Sequence, residues 1–129
     1  MSKEKRVYTR YKTDFDGEFA IAGVGMRGLL SVQDFSRSGM NAVLNQKVMP
    51  SDLLKCEVRL PGSIMTCSMH GRVIWIREDE SRADGYYRSG IEFETIDAFD
   101  RERLLEYCYQ IYQQNQTSRK PAEGREIQP

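Results

Sequence analysis

Arg6 and Arg10 stand four residues apart in Arg6-Val-Tyr-Thr-Arg10. That spacing leaves both on one face whether the segment is a helical turn or an extended arm. Each guanidinium is a planar fork of donors. The fork fits the O6/N7 edge of guanine or two oxygens of a phosphate, and its flat face can stack on a purine. Lysine supplies charge without the fork, so Lys5 and Lys12 can attract a phosphate but cannot specify a base. Further along, Asp34-Phe-Ser36-Arg-Ser-Gly39 offers the complementary chemistry. An ionised Asp34 only accepts, which suits the N1–H and N2–H₂ donors of guanine's Watson–Crick edge. Ser36 has a short hydroxyl that can donate to a phosphate or pin the loop. Gly39 permits a positive φ or a close backbone approach, one of which a tight turn into a following strand needs.

Taken singly, each stretch has a plainer reading. The first is a solvated basic terminus and the second an Asx/Ser turn between strands. Their joint occurrence, in this order and on a strand-rich background, favours a binding rim.

The elements that must position these groups are mostly strands. Residues 18–22 end at the turn chemistry of Gly23-Val-Gly25, and residues 26–35 resume as an extended run. Residues 40–44 and 54–60 alternate apolar and polar positions, separated by a loop at Pro50-Ser-Asp52, and the second run stops at Pro61-Gly62. Residues 64–77 form the longest β-rich stretch. Its Val73-Ile-Trp-Ile76 core is apolar on both faces, which predicts cover by the barrel core on one side and by another element on the other. Residues 78–85 are a polar hairpin tip and residues 86–95 a last strand. From residue 97 to about 116 the period becomes helical, with Phe99, Leu104, Leu105, Cys108, Ile111 and Tyr112 on one stripe. Asp97 or Asp100 can cap this helix, and the stripe is the expected cover for the second face of residues 73–76. Residues 117–129 have little to bury and are expected to be disordered. About six short antiparallel strands and one C-terminal helix suggest an all-β closed sheet or small barrel, because closure removes exposed edges.

The chain has 129 residues, suited to one domain with a basic arm (1–12), a body (13–116) and a tail (117–129). Its 19 Lys+Arg balance 19 Asp+Glu, which argues against a bulk nucleic-acid binder. The arm is uneven: Lys3, Lys5, Arg6, Arg10 and Lys12 against Glu4 leave an excess of four positive charges, suited to a small anionic ligand. Three widely spaced cysteines fit reduced, buried thiols in a cytoplasmic protein. No secretory pattern or apolar run of about 18 residues is present. Cys67 and His70 resemble half a zinc site, yet three residues apart on a strand they face opposite sides. Trp75 could stack on a base, but between Ile74 and Ile76 it is expected in the core or facing the helix. Tyr86 and Tyr87 are expected to pack along an edge strand. No nucleophile, base and oxyanion set converges, so catalysis is not expected, and neither is a cofactor.

The two motifs together resemble those of PilZ domains, bacterial receptors for cyclic di-GMP, in which Arg-x-x-x-Arg precedes Asp-x-Ser-x-x-Gly. Gly71-Arg-Val-Ile-Trp75, Gly90-Ile-Glu-Phe93 and the closing helix resemble the same family, and the likeness covers roughly residues 5–113. It implies a six-stranded antiparallel β-barrel of the split-barrel type with a C-terminal helix, and an arm that folds over a ligand on the barrel surface. By that resemblance Arg6 and Arg10 grip guanine and phosphate, while Asp34, Ser36 and Gly39 hold the other side. Lys5 sits where family members vary between one ligand and a stacked pair. With no output domain expected in the chain, a signal would leave through an unidentified downstream protein. The competing reading is a protein-interaction module of the same fold that does not depend on the nucleotide.

Overall fold

The computed structural model describes residues 8–127, with side chains to residue 115. Six strands run β1 (Tyr11–Ile21), β2 (Arg27–Phe35), β3 (Gly39–Leu44), β4 (Leu53–Arg59), β5 (Thr66–Glu78) and β6 (Tyr87–Ile96), followed by helix α1 (Ala98–Ile127). Every pairing is antiparallel, and the order β1-β2-β3-β6-β5-β4 closes on itself because β1 pairs with β4 as well as β2. Tyr87 is paired on both sides, with Leu44 and with Glu78, so the expected edge-strand setting is not found for it. Tyr87 lies on β6 between β3 and β5, and Tyr86 precedes the strand beneath the Arg82 guanidinium, 5.8 Å from its ring centre. Strand β1 also reaches back to Tyr11, inside the stretch assigned to the basic arm.

Alternation along the strands fills the barrel. On β1, Phe15 and Phe19 point inward; on β2, Leu30, Val32 and Phe35 do; on β4, Leu54, Cys56 and Val58. All three cysteines are free and buried. Cys67 is buried inside while His70 lies on the other face of β5, half-buried, and among the described residues no group of His, Cys, Asp and Glu is placed to hold a metal.

Helix α1 begins at an Asp97 cap, whose Oδ2 accepts from Phe99 N and Asp100 N at 3.1 Å each. Asp100 instead pairs along the helix, its Oδ1 accepting from Arg103 Nη2 at 2.9 Å. The helix packs against β1 and the start of β5. Leu104 and Cys108 enter the core, and Tyr107 stacks obliquely on Phe15 with ring centres 5.7 Å apart. Only part of the expected stripe is buried, since Phe99 and Tyr112 are exposed. The backbone remains helical to Ile127, past residue 116 where the stripe ends.

The expected cover of residues 73–76 by the helix is not found. Val73 pairs with Ile91 but Trp75 with Gly90, so β5 spends two residues where β6 spends one. This β-bulge at Ile74 breaks the in–out alternation. Val73 faces the core and Ile76 packs partly against it, while Ile74 and Trp75 both emerge on the outside, 51% and 37% exposed. The run is apolar on both sides because two of its residues line an outer surface.

Candidate functional site

The barrel register gathers five positions into one row on the outer face. Lys12 pairs with Asp34, Asp34 with Asn41, Asn41 with Gly90, and Gly90 with Trp75. These lie on β1, β2, β3, β6 and β5, and at strand spacings of about 4.8 Å the row spans about 14 Å from Asp34 to Trp75.

Asp34 anchors one end. Arg10, just before β1, donates to its Oδ1 from Nε at 3.2 Å and Nη2 at 2.8 Å. Asn41 Nδ2 donates to Oδ2 at 2.8 Å. The two ion-pair side chains are 29% and 22% exposed, so the carboxylate is fixed but reachable. Arg10 and Asp34, from separate motifs, are therefore brought into direct contact. Asn41 is a member of the cluster that sequence reasoning passed over. Its only advance sign was a polar residue in the otherwise apolar alternation of residues 40–44.

The turn joining β2 to β3 has two exposed-side residues, Arg37 and Ser38, held between Ser36 and Gly39. Ser36 N donates to Gly39 O at 2.9 Å. Its Oγ donates to the same carbonyl at 3.2 Å and accepts from Ser38 N at 3.3 Å. Ser36 is 1% exposed. Of the two roles open to its hydroxyl, pinning the loop is the one it performs here. Gly39 does not use positive φ; its role is close approach, because a Cβ there would fall on the carbonyl oxygen of Ile91. Phe93 N donates to Ser38 O at 2.9 Å, tying the turn to β6. Beneath it, Phe35 packs on Phe15 and Phe93 with ring centres 6.1 and 5.4 Å apart.

At the other end of the row, Trp75 lies across Gly90. A Cβ at Gly90 would meet the indole edge, with Cε2 at 2.7 Å and Cδ1 at 2.8 Å. Glycine thus lets the indole edge settle against the strand. Trp75 is consequently a surface residue, not the core or helix-facing one expected, and the bulge at Ile74 is the reason. The indole covers Gly90, so Asn41 is the position left between Asp34 and the ring.

The turn also touches the helix. Arg37 Nη2 donates to Glu102 Oε2 at 2.5 Å. Alongside, an open cleft of 390 Å³ lies between Tyr8, Thr9 and Tyr11 on one side and Leu105, Glu106 and Tyr109 of α1 on the other. Lys5 and Arg6 fall outside the described residues.

The sequence matches the PilZ domain model over residues 4–110. The chain belongs to the PilZ domain family. No curated protein matches it at a significant level, but solved structures do. The PilZ domain of YcgR from Escherichia coli, solved with c-di-GMP, superposes with a TM-score of 0.68 at 15% identity, covering 90% of this chain and 98% of that one. Bacillus subtilis MotI/DgrA, an inhibitor of motility, gives 0.66 at 22% identity over 84% of this chain and 52% of the other. The K. pneumonia MrkH–c-di-GMP complex gives 0.66 at 15% identity over 86% and 53%. The chain spans about half the length of these last two proteins, and likeness at such identities carries the fold. In this PilZ domain the Arg10–Asp34–Asn41 cluster and the Ser36–Gly39 turn occupy one rim of the barrel. Among the described residues no helix is long and apolar enough to cross a membrane.

Proposed function

We propose that this PilZ domain is a receptor for cyclic di-GMP, a binding module without catalysis of its own. The observation that carries the reading is the Asp34 carboxylate, held rigid on the outer face by Arg10 and Asn41 at the start of a row that ends in an exposed indole.

An ionised carboxylate has about four lone-pair sites, and three donors already reach Asp34. Guanine's N1–H and N2–H₂ need two acceptors. Binding therefore releases Arg10 from Asp34, and its fork turns to the O6/N7 edge or to a phosphate. Asn41 keeps the carboxylate aimed during this exchange. Ser36 and Gly39 act by holding the turn that presents Asp34. Arg6, with Lys5 beside it, supplies the second fork from the arm, and Lys5 bears on whether one ligand or a stacked pair is held. A Kd of about 1 μM, the affinity expected for this site, corresponds to about −8 kcal/mol.

Closure of the arm alters the cleft between residues 8–11 and α1, and the Arg37–Glu102 pair ties the signature turn to that helix. This is the route by which binding changes a surface read by a downstream protein.

Base identity tests the reading. Adenine presents an N6 donor where guanine presents O6, and it lacks the N2 amino group that Asp34 would receive. Titration with cyclic di-GMP and cyclic di-AMP in parallel should give micromolar binding for the first and at least tenfold weaker binding for the second. Equal affinities would overturn it.

A further inference from the structure

Two arginines on the outer face take no part in the cluster at Asp34. The register sets Arg77 of β5 directly opposite Arg88 of β6, and both are exposed. Like charges facing each other across a ladder repel and weaken the pairing. Neither guanidinium enters an ion pair among the described residues. The carboxylate that feels Arg88 is Asp79. Its Oδ1 already accepts from Ser81 N at 3.1 Å and Ser81 Oγ at 2.6 Å, and its Oδ2 from Arg82 Nε at 3.0 Å. The repulsion between Arg77 and Arg88 is therefore left for something outside the protein to offset.

Their position says what that could be. Arg77 and Arg88 lie two residues along from Trp75 and Gly90, about 7 Å away on the same face. The Arg77 guanidinium carbon is 5.1 Å from the centre of the Trp75 ring. An arginine pair beside an exposed indole suits an anion joined to a flat base: the forks hold phosphate oxygens, and the ring face that Arg77 covers in the free protein is released to stack on the base.

We propose that Arg77 and Arg88 form a phosphate subsite at the Trp75 end of the outer row, holding the second half of a purine dinucleotide whose first base sits at Arg10 and Asp34. The proposal rests on the guanine-dinucleotide reading of that cluster and adds a contact to it. Asp34 and Gly90, over which the indole sits, are two strand spacings or about 10 Å apart, more than one base bridges, and Asn41 lies between them.

Trp75 is the single tryptophan of the chain, so its emission reports this end of the row alone. The full chain would be titrated with cyclic di-GMP, following heat and Trp75 emission together, as unaltered protein, as Asp34→Ala and as the double variant Arg77→Gln/Arg88→Gln. The double variant should bind about tenfold to a hundredfold more weakly, the loss expected for one charge-assisted contact. Its affinity should fall less steeply with added salt, and its melting temperature should be unchanged or higher because the repulsion is gone. Affinity and salt dependence equal to those of the unaltered protein would overturn the subsite, and Asp34→Ala would still report on the first cluster. A melt lowered by several degrees would also overturn it, since the arginines would then be holding the fold. Absence of binding to the unaltered protein would remove both readings.

Discussion

Adding one methyl group at Gly90 should be read out by Trp75. A Cβ on Gly90 falls against the indole, with Cε2 at 2.7 Å and Cδ1 at 2.8 Å, closer than carbon atoms pack. The backbone at Gly90 needs no positive φ, so alanine brings no conformational penalty and the whole cost lies in the clash. The sheet beneath is paired on both sides by β3 and β5, so the ring is the part that yields. Tryptophan buries about 150–250 Å². If about 100 Å² of it returns to water at about 25 cal/mol per Å², the loss is about 2.5 kcal/mol. With a urea slope of about 1–3 kcal/mol per M, Gly90→Ala should lower the unfolding midpoint by roughly 1 M and shift the Trp75 emission to the red. In a Trp75→Ala background the three atoms nearest that methyl group are gone, and its cost should fall to a few tenths of a kcal/mol, a coupling of about 2 kcal/mol. An equal cost in both backgrounds, or unchanged emission in Gly90→Ala, would refute the placement of the indole over the strand.

Two further outcomes concern buried groups. Ser36→Ala removes the Oγ that donates to Gly39 O and accepts from Ser38 N, leaving a buried turn less well satisfied. Stability should drop by about 1–2 kcal/mol in urea denaturation, with cyclic di-GMP affinity falling several-fold because Asp34 is less firmly presented. The Cys56 thiol is pushed by burial from 9.0 up to about 12. A folded pKa raised above the unfolded one means that the neutral thiol's contribution is complete below pH 9 and is lost as pH rises toward 12. Between those limits the unaltered protein should lose about 1.4 kcal/mol per pH unit relative to Cys56→Ala. Parallel curves for the two proteins would contradict this.

Much of this architecture was readable from pattern. The alternation of residues 54–60, the turns at Gly23–Gly25 and Pro61-Gly62 and the change to helical spacing after residue 97 each reflect local chemistry, and all of them reappear in the barrel. That the two motifs lie together was legible too, because fork and carboxylate complement the same ligand, but the direct Arg10–Asp34 ion pair was not expected. What escaped was register. Asn41, Gly90 and Trp75 become neighbours of Asp34 only through the β3–β6 and β5–β6 pairings, and a bulge at Ile74 leaves no mark in composition. The same bulge turned an apolar run expected to lie under α1 into an outer surface. Ser36 shows a different limit: its type and spacing allowed a ligand-facing or a loop-pinning hydroxyl, and only burial against Gly39 separates them.

Arg10 and Asp34 are, on the reading proposed above, the grip on a guanine dinucleotide. Calorimetric titration of cyclic di-GMP into the unaltered chain and into Arg10→Ala tests this most directly. The expected result is a Kd of about 1 μM for the first and loss of measurable heat for the second, with the stability of the free variant lowered by no more than the few tenths to about 1 kcal/mol of a partly exposed ion pair. Equal binding by the two proteins would contradict it.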